Sequence, residues 1–365
     1  MADAFSVMNT VNFKAGSNSD ALAQSLAVLL EHIADHPHGD LILRALQTLV
    51  QTTEQETERL DWKLIAGALE DMRKAIAVFH PYRHTRKVSI FGSARSSPQD
   101  PEYQQAREFA QCITSHGFLV LTGAGGGIMA AGNEGAGRDH SFGLNIDLPF
   151  EQSANQFIEG SDRLMNFRYF FTRKLFFLRE SDAIALFPGG FGTQDEFFEC
   201  LTLSQTGRGT PQPLVLIDKP QGDYWQQWDR YVQKHLQERG FISAEDRSLY
   251  SITDSVSEAC AIITSFYRIY HSSRWVDRTF VIRLNCPISD RHLDRLNQEF
   301  ADILLDGQIQ RSAPLAKEMK ELSILHLPRL VMQFNQVSYG RLQELIWAIN
   351  SPDDSAGAGF FPERK

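Results

Sequence analysis

The chain of 365 residues has only four cysteines, Cys112, Cys200, Cys260 and Cys286, and no two of them form a C-x-x-C pair. That spacing excludes the usual zinc-binding and disulfide-framework patterns and fits a reducing cytoplasm. No basic block able to track a phosphate backbone is present. The formal net charge is -9 and the pI is near 5.7, so a nucleic-acid polymer is not an expected partner. No apolar run approaches the length of a bilayer span, and the opening MADAFSVMNTVNF lacks a basic start followed by an apolar core. No membrane is therefore expected, and the cytoplasm is the expected location. His32 and His36 stand four apart, but the glutamate of an H-E-x-x-H site and a third ligand are missing, so no metal site is expected either.

What is present is ordinary in amount and specific in order. At 42% hydrophobic and 22% charged residues, the chain has the composition of a globular protein, and its length suits two or three domains. From residue 20 to about residue 79 apolar residues recur at three and four, as in Leu41, Leu43, Leu46 and Leu49, then Ile65, Leu69, Met72 and Ile76. This predicts a helical N-terminal extension over 1–86, in which no motif suggests chemistry. At Lys87 the pattern changes to strands alternating with helices. Strands are predicted at 87–91, 118–122, 141–148, 184–187 and 213–217, and helices at 102–116, 129–136, 167–179 and 225–238, with a loop around 150–162. The fold class is therefore α/β, a Rossmann-like doubly wound parallel sheet over 87–270, with ligands expected at the carboxyl ends of its strands. Residues 271–350 read as a small α+β domain, with strands at 279–284 and 329–334 and helices at 290–305 and 339–349. Residues 351–365 read as a disordered end.

The most informative stretch is ALFPGGFGTQDEFFE, from Ala185 to Glu199. A buried strand breaks at Pro188, and Gly189, Gly190 and Gly192 let the backbone turn and approach a ligand closely. Thr193 stands where a helix N-cap belongs, three residues before Glu196. Free N–H groups and the positive end of a helix dipole favour an anion there, with Glu196 one turn away. A second glycine loop, LTGAGGGIM, carries Gly123, Gly125 and Gly126, and the turn after the first strand carries Gly92 and Ser93; all lie at the same sheet edge. GAGGG does not spell the G-x-G-x-x-G fingerprint in its usual setting, and no ribose-binding acid follows a strand, so NAD is not expected.

PGGFGTQDEFFE resembles the PGGxGTxxE signature of the LOG ("Lonely guy") family, phosphoribohydrolases that release a base from nucleoside 5′-monophosphates and were long mislabelled as lysine decarboxylases. FFTRK at Phe170 to Lys174 is similar to the family's Arg-Lys segment, LTLSQTG at Leu201 to Gly207 continues as in larger bacterial members, and LTGAGGGIM looks like its first glycine loop. The resemblance spans roughly 87–267. It implies that Arg173 and Glu196 are the catalytic pair, that the glycine loops, Ser93 and Thr193 bind a nucleoside 5′-monophosphate, and that neither a metal nor a cofactor takes part. Glu196 would hold the ribose hydroxyls, activate water or stabilise positive charge, and the residues do not choose among these. Glu199, one turn beyond Glu196, is counted with the substrate-binding residues and stands where it could pair with Arg173, and Lys174 is expected to sit in a salt bridge. Plant-type members have Met-His-Glu where this chain has Phe170, Phe171 and Thr172, which leaves the base open; a purine is the leading expectation, with the aromatic rings available for stacking. The resemblance also implies a homodimer or larger homo-oligomer. The alternative is a non-catalytic nucleotide sensor of the same fold. A pyridoxal enzyme would need a Schiff-base lysine in a setting that the chain lacks.

Overall fold

The computed structural model describes residues 33–147 and 153–351, together with Val28 and Glu31. The expectations for the first apolar positions of the extension, for His32, for residue 148 at the end of the third strand, for residues 150–152 of the loop and for the end from 352 onwards lie outside the described residues. The chain divides into two compact units after Gly67. In the first, helix α1 (Gly39–Thr53) carries Asp40 in its first turn, where a carboxylate complements the helix dipole. Trp62 Nε1 donates to Thr57 Oγ1 at 2.9 Å near the start of helix α2 (Arg59–Phe79).

The second unit is built on a parallel sheet of strands β1 (Lys87–Phe91), β2 (Leu119–Thr122), β3 (Ser141–Ile146), β4 (Leu164–Phe167), β5 (Ala183–Leu186), β6 (Leu214–Ile217) and β7 (Tyr250–Thr253). Their order is β4-β3-β2-β1-β5-β6-β7, all neighbours parallel, with Val88 opposite Val120 and Ser89 opposite Ile184. This is the doubly wound α/β sheet expected from the alternation. Strands β1, β2, β3, β5 and β6 are buried along their whole length because helices cover both faces. Alternate residues feed two cores: Val88, Ile90, Val120, Ala183 and Ala185 face one, and Leu119, Leu121, Ile184 and Leu186 the other.

Helices α3 (Pro101–Ser115) and α4 (Ile128–Ala136) cover the first face, and α5 (Phe170–Glu180), α6 (Phe191–Gln205) and α7 (Tyr224–Val232) the second. Aromatic side chains dominate that second core, where Phe197 lies edge-on to Trp225 at 5.6 Å. The end of α2 joins it through Ala75 and Phe79. After β7, helix α8 (Val256–Phe266) leads into an antiparallel sheet of β8 (Tyr270–Val276), β9 (Thr279–Leu284), β10 (Gln310–Ser312) and β11 (Arg329–Met332), ordered β10-β11-β9-β8. Helix α9 (Asp290–Glu299) and helix α10 (Tyr339–Asn350) complete the tail. One continuous apolar cluster holds Val215 and Ile217 of the parallel sheet together with Phe280, Ile282 and Trp347 of the tail.

Several local expectations are corrected. The helix predicted from 167 begins at Phe170, and the residues before it form β4, an edge strand whose partly exposed Leu164 and exposed Asn166 hide it from a search for apolar runs. The helix predicted to 238 is α-helical only to Val232 and widens into a π-turn over Gln233–Gln237. The helix predicted to 305 stops at Glu299, where Phe300 turns inward and is 1% exposed. Among the described residues no helix is long and apolar enough to cross a membrane. The described cysteines are free thiols.

Candidate active site

The strand order reverses between β1 and β5, and in such sheets the crevice outside the carboxyl ends at that reversal is where ligands bind. The turns leaving both strands meet there: the Ser93 N–H donates to the Pro188 carbonyl at 3.1 Å, and the Ile128 N–H to the Ser93 carbonyl at 2.9 Å. Three loops are thus laced into one floor. Gly127, the last glycine of the run, has φ +61°, and a Cβ there would stand 2.2 Å from the Ser93 carbonyl oxygen. Only glycine serves at that crossing, and the run of three glycines was the available signal. Asn155 pins the same loop: its amide Nδ2 donates to the carbonyls of Ala124 and Gly125, each at 3.0 Å.

A cavity of about 820 Å³ opens above this floor. Gly92, Ser93, Gly123, Arg173, Gly189, Gly190, Gly192, Thr193 and Glu196 all line it. Gly125, Gly126 and Glu199 do not. Gly189 is needed for closeness, since a Cβ would lie 2.2 Å from Thr193 Oγ1. Gly190 and Gly192 are different: a Cβ on either meets nothing within 4 Å. Thr193 is not the N-cap. Gly190 is, because the chain passes from extended to helical geometry there, and Thr193 is the buried third residue of α6 with no capping bond. The first intrahelical bond is Gln194 N–H to the Gly190 carbonyl at 3.1 Å, which leaves the N–H groups of Phe191, Gly192 and Thr193 ahead of the ladder. Tyr224, which the sequence reading did not single out, holds this start in place. Its hydroxyl donates to the Gly189 carbonyl at 2.6 Å and accepts from Gln194 Nε2 at 2.8 Å. Tyr224 follows β6 at the same sheet edge, and that position was its only sequence signal.

Glu196 is 7% exposed, and its Oε2 has no hydrogen-bond partner. Burial pushes its carboxyl up to about 7, against the pull of Lys174 and Arg173. Arg173 faces the same cavity from α5, with its Nε also buried and unpartnered. Desolvation lowers its pKa, while Glu196 and Asp195 oppose the shift. Its guanidinium lies 5.1 Å from the centre of the Phe170 ring. The Glu199–Arg173 pairing is corrected: Glu199 Oε2 lies 2.7 Å from Lys174 Nζ, and Asp195 Oδ2 lies 2.8 Å from it. Lys174 is one residue further round α5, so it meets the outer face of α6 while Arg173 turns inward. Lys174 therefore pairs directly with two of the three acids, and Glu196 faces the cavity with Oε2 unpartnered, attracted by both Lys174 and Arg173. Among the described residues no group of three or more His, Cys, Asp or Glu is placed to hold a metal ion.

Residues 115–263, which contain the Arg-Lys segment and the whole signature helix, match the family model described as possible lysine decarboxylase. A stretch of 93 residues is 34% identical to the cytokinin riboside 5′-monophosphate phosphoribohydrolase of Rhodococcoides fascians, covering 26% of this chain and 45% of that protein. The matched segment is a LOG-family domain. This chain spans about half the length of the curated relative it matches. Among solved structures, the LOG-family domain is similar to the molybdenum cofactor binding protein from Rippkaea orientalis, at 17% identity over 50% of this chain and 97% of that one, with a TM-score of 0.36. The molybdenum cofactor carrier protein from Chlamydomonas reinhardtii is similar at 17% identity over 50% and 97%, with a TM-score of 0.35.

Proposed function

We propose that this LOG-family protein hydrolyses the N-glycosidic bond of a nucleoside 5′-monophosphate, giving free base and ribose 5-phosphate. The observation that carries the reading is the pairing of Glu196 and Arg173, each with a buried polar atom lacking a partner, on one cavity that ends at the open N–H groups of α6. Those N–H groups suit the 5′-phosphate. The cleavage passes through an oxocarbenium-like sugar, and the Glu196 carboxylate supplies the negative charge that such a sugar needs. Arg173 supplies a fixed cation for phosphate or for charge gathering on the departing base. A purine is the proposed base, because Phe170 lines the cavity with a half-exposed ring suited to stacking. The relative named as a phosphoribohydrolase supports the reaction class.

A homodimer or larger assembly is part of the proposal. Phe170, Phe171 and Leu175 on α5 and Phe191 and Phe198 on α6 are exposed on the two helices that carry Arg173 and Glu196, and Phe191 is 95% exposed. Light scattering at micromolar concentration checks this, and a monomer would remove it.

The reaction is tested by chromatographic product analysis with AMP, GMP, IMP and CMP and with the matching nucleosides. The expected outcome is base and ribose 5-phosphate from a purine monophosphate, with the nucleosides left intact. Adenosine cleaved as readily as AMP would overturn the phosphate site. Nucleotide binding without product would establish a sensor instead.

A further inference from the structure

Helix α5 carries Arg173 in its first turn, yet its N-cap, Tyr169, makes no side-chain capping bond. The cap comes from another helix. Asp71 of α2 is 4% exposed, and its Oδ2 accepts from the Arg168 N–H at 3.0 Å, the Tyr169 N–H at 3.3 Å and the Thr172 hydroxyl at 2.7 Å. All three donors immediately precede Arg173, whose own N–H closes the first turn onto the Tyr169 carbonyl at 3.2 Å. A buried carboxylate here ties down the two residues that lead into α5 and the hydroxyl of its third residue, at the end of the helix where the dipole favours negative charge. The neighbouring pair of Arg168 with Glu70, 3.5 Å apart and more than half exposed at both ends, cannot replace it. Further along α2, Phe79 stacks near Phe176 at 6.3 Å, so α2 supports the back of α5 and fixes its start.

We infer that Asp71 is a positioning residue for Arg173: it anchors the first turn of α5 so that the guanidinium stands beside Glu196 in the cavity. The inference rests on the proposed reading of Arg173. It assigns part of the site to the helical N-terminal extension, in which no sequence motif pointed to chemistry. Asp71 reaches the reaction only through the start of α5, so its removal acts chiefly on what Arg173 contributes and, through the same turn, on Phe170.

The test is a double-mutant cycle in the full chain with Asp71→Ala and Arg173→Ala, read as kcat and KM for the nucleoside monophosphate that the wild type cleaves and as the dissociation constant for AMP. Asp71→Ala should reduce kcat/KM roughly 10- to 100-fold, the scale on which about 1 Å of misplacement acts, and should cost far less once Arg173 is alanine, the remainder being what Phe170 on the same turn loses. Asp71→Asn, which keeps one acceptor, should recover part of the loss, and it carries the cycle if the alanine variant does not fold. Equal losses with and without Arg173 would reduce Asp71 to a general packing role and overturn the inference. Absence of any turnover by the wild type would remove the proposed reaction and not this inference, which amide exchange then decides. Asp71→Ala should speed exchange at Arg168, Tyr169 and Arg173 while leaving β5 protected, and unchanged exchange there overturns it.

Discussion

Glu196 is the buried carboxylate of the site. Its carboxyl, ordinarily near 4.5, stands at about 7 because the folded chain hides it from water. A group whose folded pKa lies above its unfolded value favours the folded state at low pH, and that advantage is lost as pH rises from the unfolded value through the folded one. At pH 8 the buried charge therefore costs about 3 kcal/mol relative to acid conditions. Glu196→Gln should raise the melting temperature at pH 8 and change it little at pH 4, which calorimetry at the two values checks. The same substitution should lower kcat roughly 10²- to 10⁴-fold, because it removes the charge while keeping the shape. If the carboxylate is the working form, kcat/KM for the wild type should climb as pH passes about 7, and the variant should lose that limb. A folded variant with wild-type turnover would take Glu196 out of the mechanism. Arg173→Ala should weaken AMP binding more than Glu196→Gln does, since a fixed cation near phosphate acts on the ground state as well.

At the scale of elements, the start of α6 decides whether the cavity can take a phosphate. Gly190 and Gly192 face open space, so a Cβ there meets nothing within 4 Å and points toward what the cavity holds. Gly192→Val should fold with an unchanged melting temperature and lose about 10²-fold in kcat/KM for a nucleoside monophosphate, the scale of losing one oriented donor. Steady-state kinetics alongside thermal unfolding checks this, and normal turnover would remove the phosphate from the α6 terminus. Gly189 behaves otherwise, because a Cβ there strikes Thr193, so its substitution should damage folding as well as turnover. The loop from Gly123 to Gly127 is held by Asn155 and lies mostly below the cavity, so it supports the floor more than it touches a ligand.

Across the whole molecule, the parallel sheet and the C-terminal α+β segment share one apolar cluster, and Phe266, Tyr270, Phe280 and Trp347 all belong to it. A chain ending after Phe266 would expose this cluster to water and should not give a cooperatively unfolding protein. A chain starting at Arg59 keeps α2 entire, including Asp71, and should retain cooperative unfolding and turnover. Circular dichroism melts and the product assay test both truncations, and loss of turnover in the second would assign the removed residues a part in the site.

The order of strands and helices and the glycine turns at the strand ends were legible in the sequence, because apolar periodicity and turn chemistry are local properties of the chain, whereas the joining of Arg173 with Glu196 in one site came from the family resemblance alone. The edge strand β4 was not, since pairing with β3 holds it without a continuous apolar run. Nor could the sequence assign Glu199 to Lys174, seat Tyr224 on Gly189 or bring Asp71 to the start of α5, because each depends on which helices pack side by side and on their rotation about their axes. The sequence by itself determined that Glu196 would stand one turn from an anion-binding helix start, and the motif resemblance added the Arg173 guanidinium. Only the tertiary structure decided that the carboxylate would be dry, because burial comes from residues far away in the chain, and dryness is what moves its titration to about 7.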